Sequence, residues 1–258
     1  MRSPVDDIRL AFSLLTVVPV RAKLPAEGER GHAADYFVLV GAVFGLLGVG
    51  VAALPAAGVF LQPTLVAAVI VLGWALLSRG LHWDGLADVA DGLGARPERR
   101  LEAMKDSTTG AFGVLTIVGV FALQTLALGA VLEAWPQALA VVGLVPVFGR
   151  LAASCAAWLG RPLGLGGLGA SVMGRPSGVG LALTAVLLGG LLFAAAQLSL
   201  LLAALLAVTG IGAALVAPHL IAGRIGGVNG DVMGASVLVT ETVVLLACAV
   251  ALVLPFYA

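Results

Sequence analysis

Long apolar runs separated by short polar loops set the rhythm of this chain. Runs near the length that crosses a bilayer as helix, about 20 residues, fall at 36–59, 64–78, 111–132, 136–159, 179–196, 198–221 and 234–256. The pattern predicts an all-α, polytopic transmembrane bundle of about seven spans. The links at 60–63 and 133–135 are short enough to make hairpins, and the division between the fifth and sixth runs rests on the polar break at 197–199. Before the first run, Ile8, Leu10, Ala11, Leu14, Leu15 and Val18 share one helical face, followed by Pro19, Arg21 and Lys23. Residues 1–34 read as an interfacial segment lying on the membrane. A helix packed on the bundle is an equal alternative. No second domain is evident, so residues 1–258 form a single integral membrane domain.

Composition agrees. Of 258 residues, 60% are hydrophobic and 11% charged, where a soluble domain carries roughly 25% charged residues. The net charge of zero gives no attraction to nucleic acid. Asp6, Asp7 and Arg9 before the first apolar stretch, and Pro19 within it, argue against a cleaved signal peptide. Cys155 and Cys248 lie in apolar blocks and are expected to be buried thiols. Basic residues gather in the N-terminal segment and in the loops after the second, fourth and sixth runs, whereas the opposite turns carry only Glu133. The positive-inside rule then places the N-terminus and the three polar loops in the cytoplasm and the C-terminus on the other side.

One polar segment, 79–110, is dense in carboxylates and reads as the catalytic segment. On a helix over 81–93, Asp88 falls about 40° round from Asp84 and Asp91 about 20° to the other side, a single stripe. Like charges on one stripe call for a cation, and hard oxygen donors suit Mg²⁺, with Mn²⁺ as the alternative. Two such ions can clamp a pyrophosphate. Pro97 suits the start of a second short helix, along which Glu98, Glu102 and Asp106 recur. Asp106 is the fourth metal-ligand candidate. Lys105 offers a point charge to a phosphate, and Ser107 opens a small, glycine-ended stretch whose backbone N–H groups suit an anion. His82 lies about 160° from Asp84, off the stripe, and reads as a general base, an outer-sphere group or an interface residue. Trp83 reads as an interfacial anchor.

Here the residues resemble a family. HWDGLADVADGLG at 82–94, ERRLEAMKDSTTGAFGV at 98–114, GLGGLGA at 164–170 and GGVNGDVMGA at 226–235 are similar to the recurrent segments of the cobalamin-5′-phosphate synthase (adenosylcobinamide-GDP ribazoletransferase) family. In the last segment the family usually carries Thr where this chain has Asn229. The resemblance implies a Mg²⁺-dependent membrane enzyme of late cobalamin assembly. A hydroxyl of α-ribazole, or of its 5′-phosphate, would attack adenosylcobinamide-GDP and release GMP. A fainter likeness to CDP-alcohol phosphotransferases covers Asp88 to Arg96, but Lys105 stands where that family's next motif glycine belongs. A membrane prenyltransferase and, further off, a cation transporter are the rival readings.

Other polar residues complete the candidate site. Asp231 suits metal or substrate, or an N-cap for the last run. Arg150 and Glu241 lie inside runs at similar depth and are expected to face the bundle interior, paired with each other or lining its cavity. His219 reads as a structural hydrogen-bonding residue. Arg161 and Arg175 fit phosphate binding or simple topology equally, and Arg99 and Arg100 read as a solvated face. The candidates are thus Asp84, His82 and Lys105 for catalysis, and Asp84, Asp88, Asp91 and Asp106 for metal. Asp231, Asn229, Arg224, Arg150, Ser107 and Arg175 are the candidates for substrate. A homo-oligomer is compatible with all of this.

Overall fold

The computed structural model describes residues 3–24, 31–54, 61–164 and 172–253. Its first helix, α1 (Pro4–Leu15), begins where the Ser3 hydroxyl accepts the Val5 N–H and Pro4 occupies the first turn. Leu10, Ala11 and Leu15 are buried against the start of the next helix. Arg79 donates to the Ser13 carbonyl at 3.1 Å, and the Val17 N–H donates to the Leu77 carbonyl at 2.8 Å. The N-terminal helix is therefore packed on the bundle.

A 3₁₀ turn at Ala33–Tyr36 leads into α2 (Phe37–Ala52), followed by α3 (Pro63–Leu77) and α4 (Leu81–Gly94). A 3₁₀ turn at Pro97–Arg99 precedes the single-turn α5 (Arg100–Ala103). Then come α6 (Ala111–Leu132), α7 (Ala138–Leu159), α8 (Gly178–Leu198), α9 (Leu200–Ile225) and α10 (Gly230–Val253). Six of these segments are long and apolar enough to cross a membrane: Ala33–Ala52, α6, α7, α8, α9 and α10 as far as Leu252. At 15 residues, α3 reaches that length only together with α4, across a bend of 88°. The bend has a local cause. Arg79 and Gly80 take left-handed φ values of 55° and 69°, and the Gly80 N–H closes the end of α3 on the Ala75 carbonyl at 2.8 Å.

The helix at the centre is α7, whose span is 83% buried and which packs on α2, α9 and α10. Small residues make the α2 crossing close: a Cβ at Gly41 would sit 2.5 Å from the Pro146 carbonyl oxygen. The break between α8 and α9 falls at Ser199, whose hydroxyl accepts the Leu202 N–H at 3.2 Å. Outward-facing Leu115, Val186 and Val208 are exposed along α6, α8 and α9, the surface a multi-pass membrane protein offers to lipid. Cys155 and Cys248 are buried and free.

Candidate active site

The site is built on α4, which lies outside the six span-length helices and is held between α6 and α10. It comes very close to α10. A Cβ at Gly85 would sit 2.8 Å from the Asp231 Cα, and one at Gly234 would sit 3.2 Å from the His82 Cα. Farther along, Trp83 meets Phe121 with ring centroids 6.1 Å apart. Both rings are half-buried, so Trp83 packs on α6 while keeping part of its surface outward.

This crossing brings together carboxylates that are remote in sequence. Asp84 is exposed, while Asp88, Asp91 and Asp231 are half-buried. The Asp88 carboxyl is pushed up to about 6, first by burial and then by the charges of Asp231, Asp84 and Asp91. Asp84 also acts electrostatically on Asp231, so each pair among Asp84, Asp88 and Asp231 interacts. Asn229 supports Asp231. Its amide nitrogen donates to the Asp231 carboxylate at 2.7 Å, and its amide oxygen accepts the Val232 N–H at 2.9 Å. Asn229, not Asp231, thus caps α10.

The other two aspartates also accept local hydrogen bonds. The Asp91 carboxylate accepts the Gly110 N–H at 2.7 Å and the Gly113 N–H at 2.9 Å. It ties the end of α4 to the first turn of α6, where backbone donors lack helical partners. Asp106 accepts the Thr108 N–H at 2.9 Å and the Thr108 hydroxyl at 2.7 Å, and these bonds hold its carboxyl below its ordinary value. It stays exposed in its own turn.

Among the described residues, no three His, Cys, Asp or Glu side chains are assembled as a metal-binding group. The chemistry of the donor set nevertheless fits a divalent cation. Asp84, Asp88 and Asp231 are hard oxygen donors whose mutual repulsion a dication would relieve.

His82 turns away from these carboxylates. It is 3% exposed, neither ring nitrogen has a hydrogen-bond partner, and it borders a small void with Trp74, Gln124, Arg150 and Glu241. Arg150 donates to Glu241, both are buried, and the guanidinium lies 4.5 Å from the Phe44 ring centroid. The expected pairing holds, and it places Arg150 in the bundle interior. Lys105, Ser107, Arg175 and Arg224 are exposed. Most of the glycine-rich stretch at 164–170 lies outside the described residues.

Two expectations need correction. Arg100 is not part of a solvated face: it donates to the Arg224 carbonyl at 2.7 Å and docks α5 on the end of α9. Arg99 does stay exposed, paired with Glu102 at 3.0 Å. His219, expected as a structural hydrogen-bonding residue, is instead exposed and lines a cavity between α7 and α9.

Sequence reasoning passed over Asp35. It is 1% exposed and accepts the Trp158 indole N–H at 2.9 Å, the Ser177 N–H at 3.0 Å and the Ser177 hydroxyl at 2.6 Å. It therefore pins the start of α2 to the end of α7 and the start of α8. A carboxylate directly before an apolar run was the available signal, since burial there demands partners.

Comparison with known proteins follows the same stretches. The family model described as cobalamin-5-phosphate synthase matches residues 7–249. A protein of Frankia casuarinae named adenosylcobinamide-GDP ribazoletransferase is 37% identical, over 96% of this chain and 96% of its own. Similar proteins of the same name from Bradyrhizobium diazoefficiens and Corynebacterium efficiens are 34% and 35% identical, over 96% and 95% of this chain and 95% and 92% of their own. No solved structure matches. With a match that runs through the carboxylate helix, both ends of the bundle and the Asn229–Asp231 turn, the chain belongs to the cobalamin-5-phosphate synthase family.

Proposed function

We propose that this chain joins adenosylcobinamide-GDP to α-ribazole or α-ribazole 5′-phosphate and releases GMP, at the carboxylates that α4 and α10 bring together. The name carried by the Frankia, Bradyrhizobium and Corynebacterium relatives supports the substrates. One observation carries the location: the Asp88 carboxyl is crowded by Asp231, Asp84 and Asp91.

A ribazole hydroxyl attacks the cobinamide-side phosphorus, the bond from that phosphorus to the bridging oxygen breaks, and GMP departs with that oxygen. The attacking hydroxyl's proton passes to solvent at the exposed side of the site. Asp84, Asp88 and Asp231 would hold Mg²⁺, or Mn²⁺ in its place, which when bound neutralises charge on the pyrophosphate oxygens. Asn229 aims Asp231. Asp91 fixes α4 to α6, so the carboxylates are presented on a rigid crossing. Lys105 and Arg224 are exposed cations suited to attracting the phosphates. The polar segments carrying these residues face the cytoplasm, in keeping with the basic residues around them.

The test is GMP release from purified protein given Mg²⁺, adenosylcobinamide-GDP and α-ribazole. Release that requires both organic substrates is expected. A folded sample that releases none overturns the reading.

A further inference from the structure

A second site lies across the turn from the carboxylates. The ends of α7 and α9 border a half-open cavity of about 590 Å³, floored by the turn at 226–228. The floor is built rather than incidental. The Leu163 N–H donates to the Val228 carbonyl at 2.9 Å and the Val228 N–H to the Arg161 carbonyl at 2.8 Å, a short parallel bridge. Gly227 permits it, since a Cβ there would sit 3.0 Å from both the Arg161 oxygen and the Leu163 Cα. The walls are mostly apolar, with Leu159, Leu215 and Pro218 among them, and exposed Arg161 and His219 supply the polar groups.

Three features select the occupant. The volume falls within the roughly 300–1,000 Å³ of small-molecule sites and suits a nucleoside. Two helix C-termini, at Leu159 and Ile225, flank the cavity. Their partial negative charge disfavours a pyrophosphate and tolerates a neutral ring. Finally, wall residue Val228 is followed directly by Asn229, which grips Asp231. A ligand held here abuts the turn that carries the reacting site.

We propose that this cavity binds the nucleoside acceptor, with the aromatic base of α-ribazole against the apolar wall and its ribose toward Arg161, His219 and the 226–231 turn. The inference rests on the proposed reaction and locates its second substrate.

Steady-state kinetics with both substrates varied provide the test. Ala222→Trp fills the cavity. It should raise KM for α-ribazole at least about tenfold, equivalent to some 1.4 kcal/mol, with KM for adenosylcobinamide-GDP little changed. Gly223→Cys gives a readout independent of turnover, because a Cβ there meets nothing within 4 Å. α-Ribazole should slow its labelling by a maleimide, and glycerol 3-phosphate, a lipid-headgroup probe, should not. If the wild type releases GMP yet neither the α-ribazole KM nor the labelling rate moves, this assignment falls and the reaction stands. Labelling slowed by glycerol 3-phosphate and not by α-ribazole also overturns it, in favour of a lipid groove. Absence of GMP release from the wild type instead removes the reaction itself.

Discussion

Gly85 and Asp231 touch backbone to backbone: a Cβ at Gly85 would sit 2.8 Å from the Asp231 Cα and 2.9 Å from its carbonyl oxygen. The site therefore depends on a residue that carries no functional group. Gly85→Ala should push α4 from α10, at the about 1–3 kcal/mol typical of overpacking, and GMP release should fall with it. Gly73→Ala in α3 is the control, since a Cβ there meets nothing within 4 Å. It should leave stability equal or slightly raised. Thermal unfolding in detergent, run beside the activity assay, compares the two.

Asp88 sets a pH dependence. Its carboxyl is raised to about 6 from 3.8 by burial and by three neighbouring carboxylates. Below about 6 it is protonated and unavailable to a cation, and above it is ionised. Apparent Mg²⁺ affinity should therefore climb with pH, by up to about tenfold per unit below 6 if one proton is displaced, and level off above. Without metal the sign reverses for stability: the protonated form is favoured, and that increment is lost as pH rises between 3.8 and about 6. Asp88→Asn should flatten both trends. Mg²⁺ titrations and melting curves across this range measure them.

The aspartates should separate by role. Asp84→Asn and Asp231→Asn remove carboxylates from the interacting group and should abolish Mg²⁺-dependent GMP release while the protein stays folded. Asp106→Asn keeps an acceptor for Thr108 at an exposed turn and should change activity by about twofold or less, the scale of surface substitutions. Asp91→Ala loses the tie to Gly110 and Gly113, and should lower the melting temperature by the equivalent of about 1 kcal/mol, as for a lost cap. Equal loss from Asp106→Asn and Asp84→Asn would return Asp106 to the metal group.

How much of this was legible depends on the range of each interaction. Hydropathy located α6 to the residue, because its apolar run ends at polar residues on both sides. Helical spacing put Asp84, Asp88 and Asp91 on one stripe, and the charges of Asp84 and Asp91 both act on Asp88. It did not show that Asp91 also accepts backbone N–H groups of α6, because periodicity records a face and not the donors beside that face. Asp231 lies far along the chain, and no local pattern ties it to Asp88. Only the Gly85 crossing does, and a glycine inside a polar helix gives a weak signal. Arg100 looked solvated because its acceptor, the Arg224 carbonyl, belongs to the backbone of a distant helix end. Arg150 and Glu241 were readable because two buried charges at matched depth have few ways to be stable.

That pair supports the last prediction. Arg150 and Glu241 are 1% and 2% exposed, and the guanidinium also rests on Phe44. Removing one partner strands a charge in the bundle. Arg150→Met and Glu241→Gln should each destabilise by about 3–5 kcal/mol, the range for breaking a buried ion pair. Replacing both, as Arg150→Met with Glu241→Leu, removes the stranded charge and should recover most of that loss, since apolar replacement of a buried pair is often near neutral. If Arg150 instead served substrate, the double variant would melt normally yet show weakened GMP release with a raised KM for adenosylcobinamide-GDP. Melting temperature and KM measured on the same three variants separate a packing role from a binding one, because Gly149 packs on Glu241 in the same layer and a purely structural pair moves stability alone.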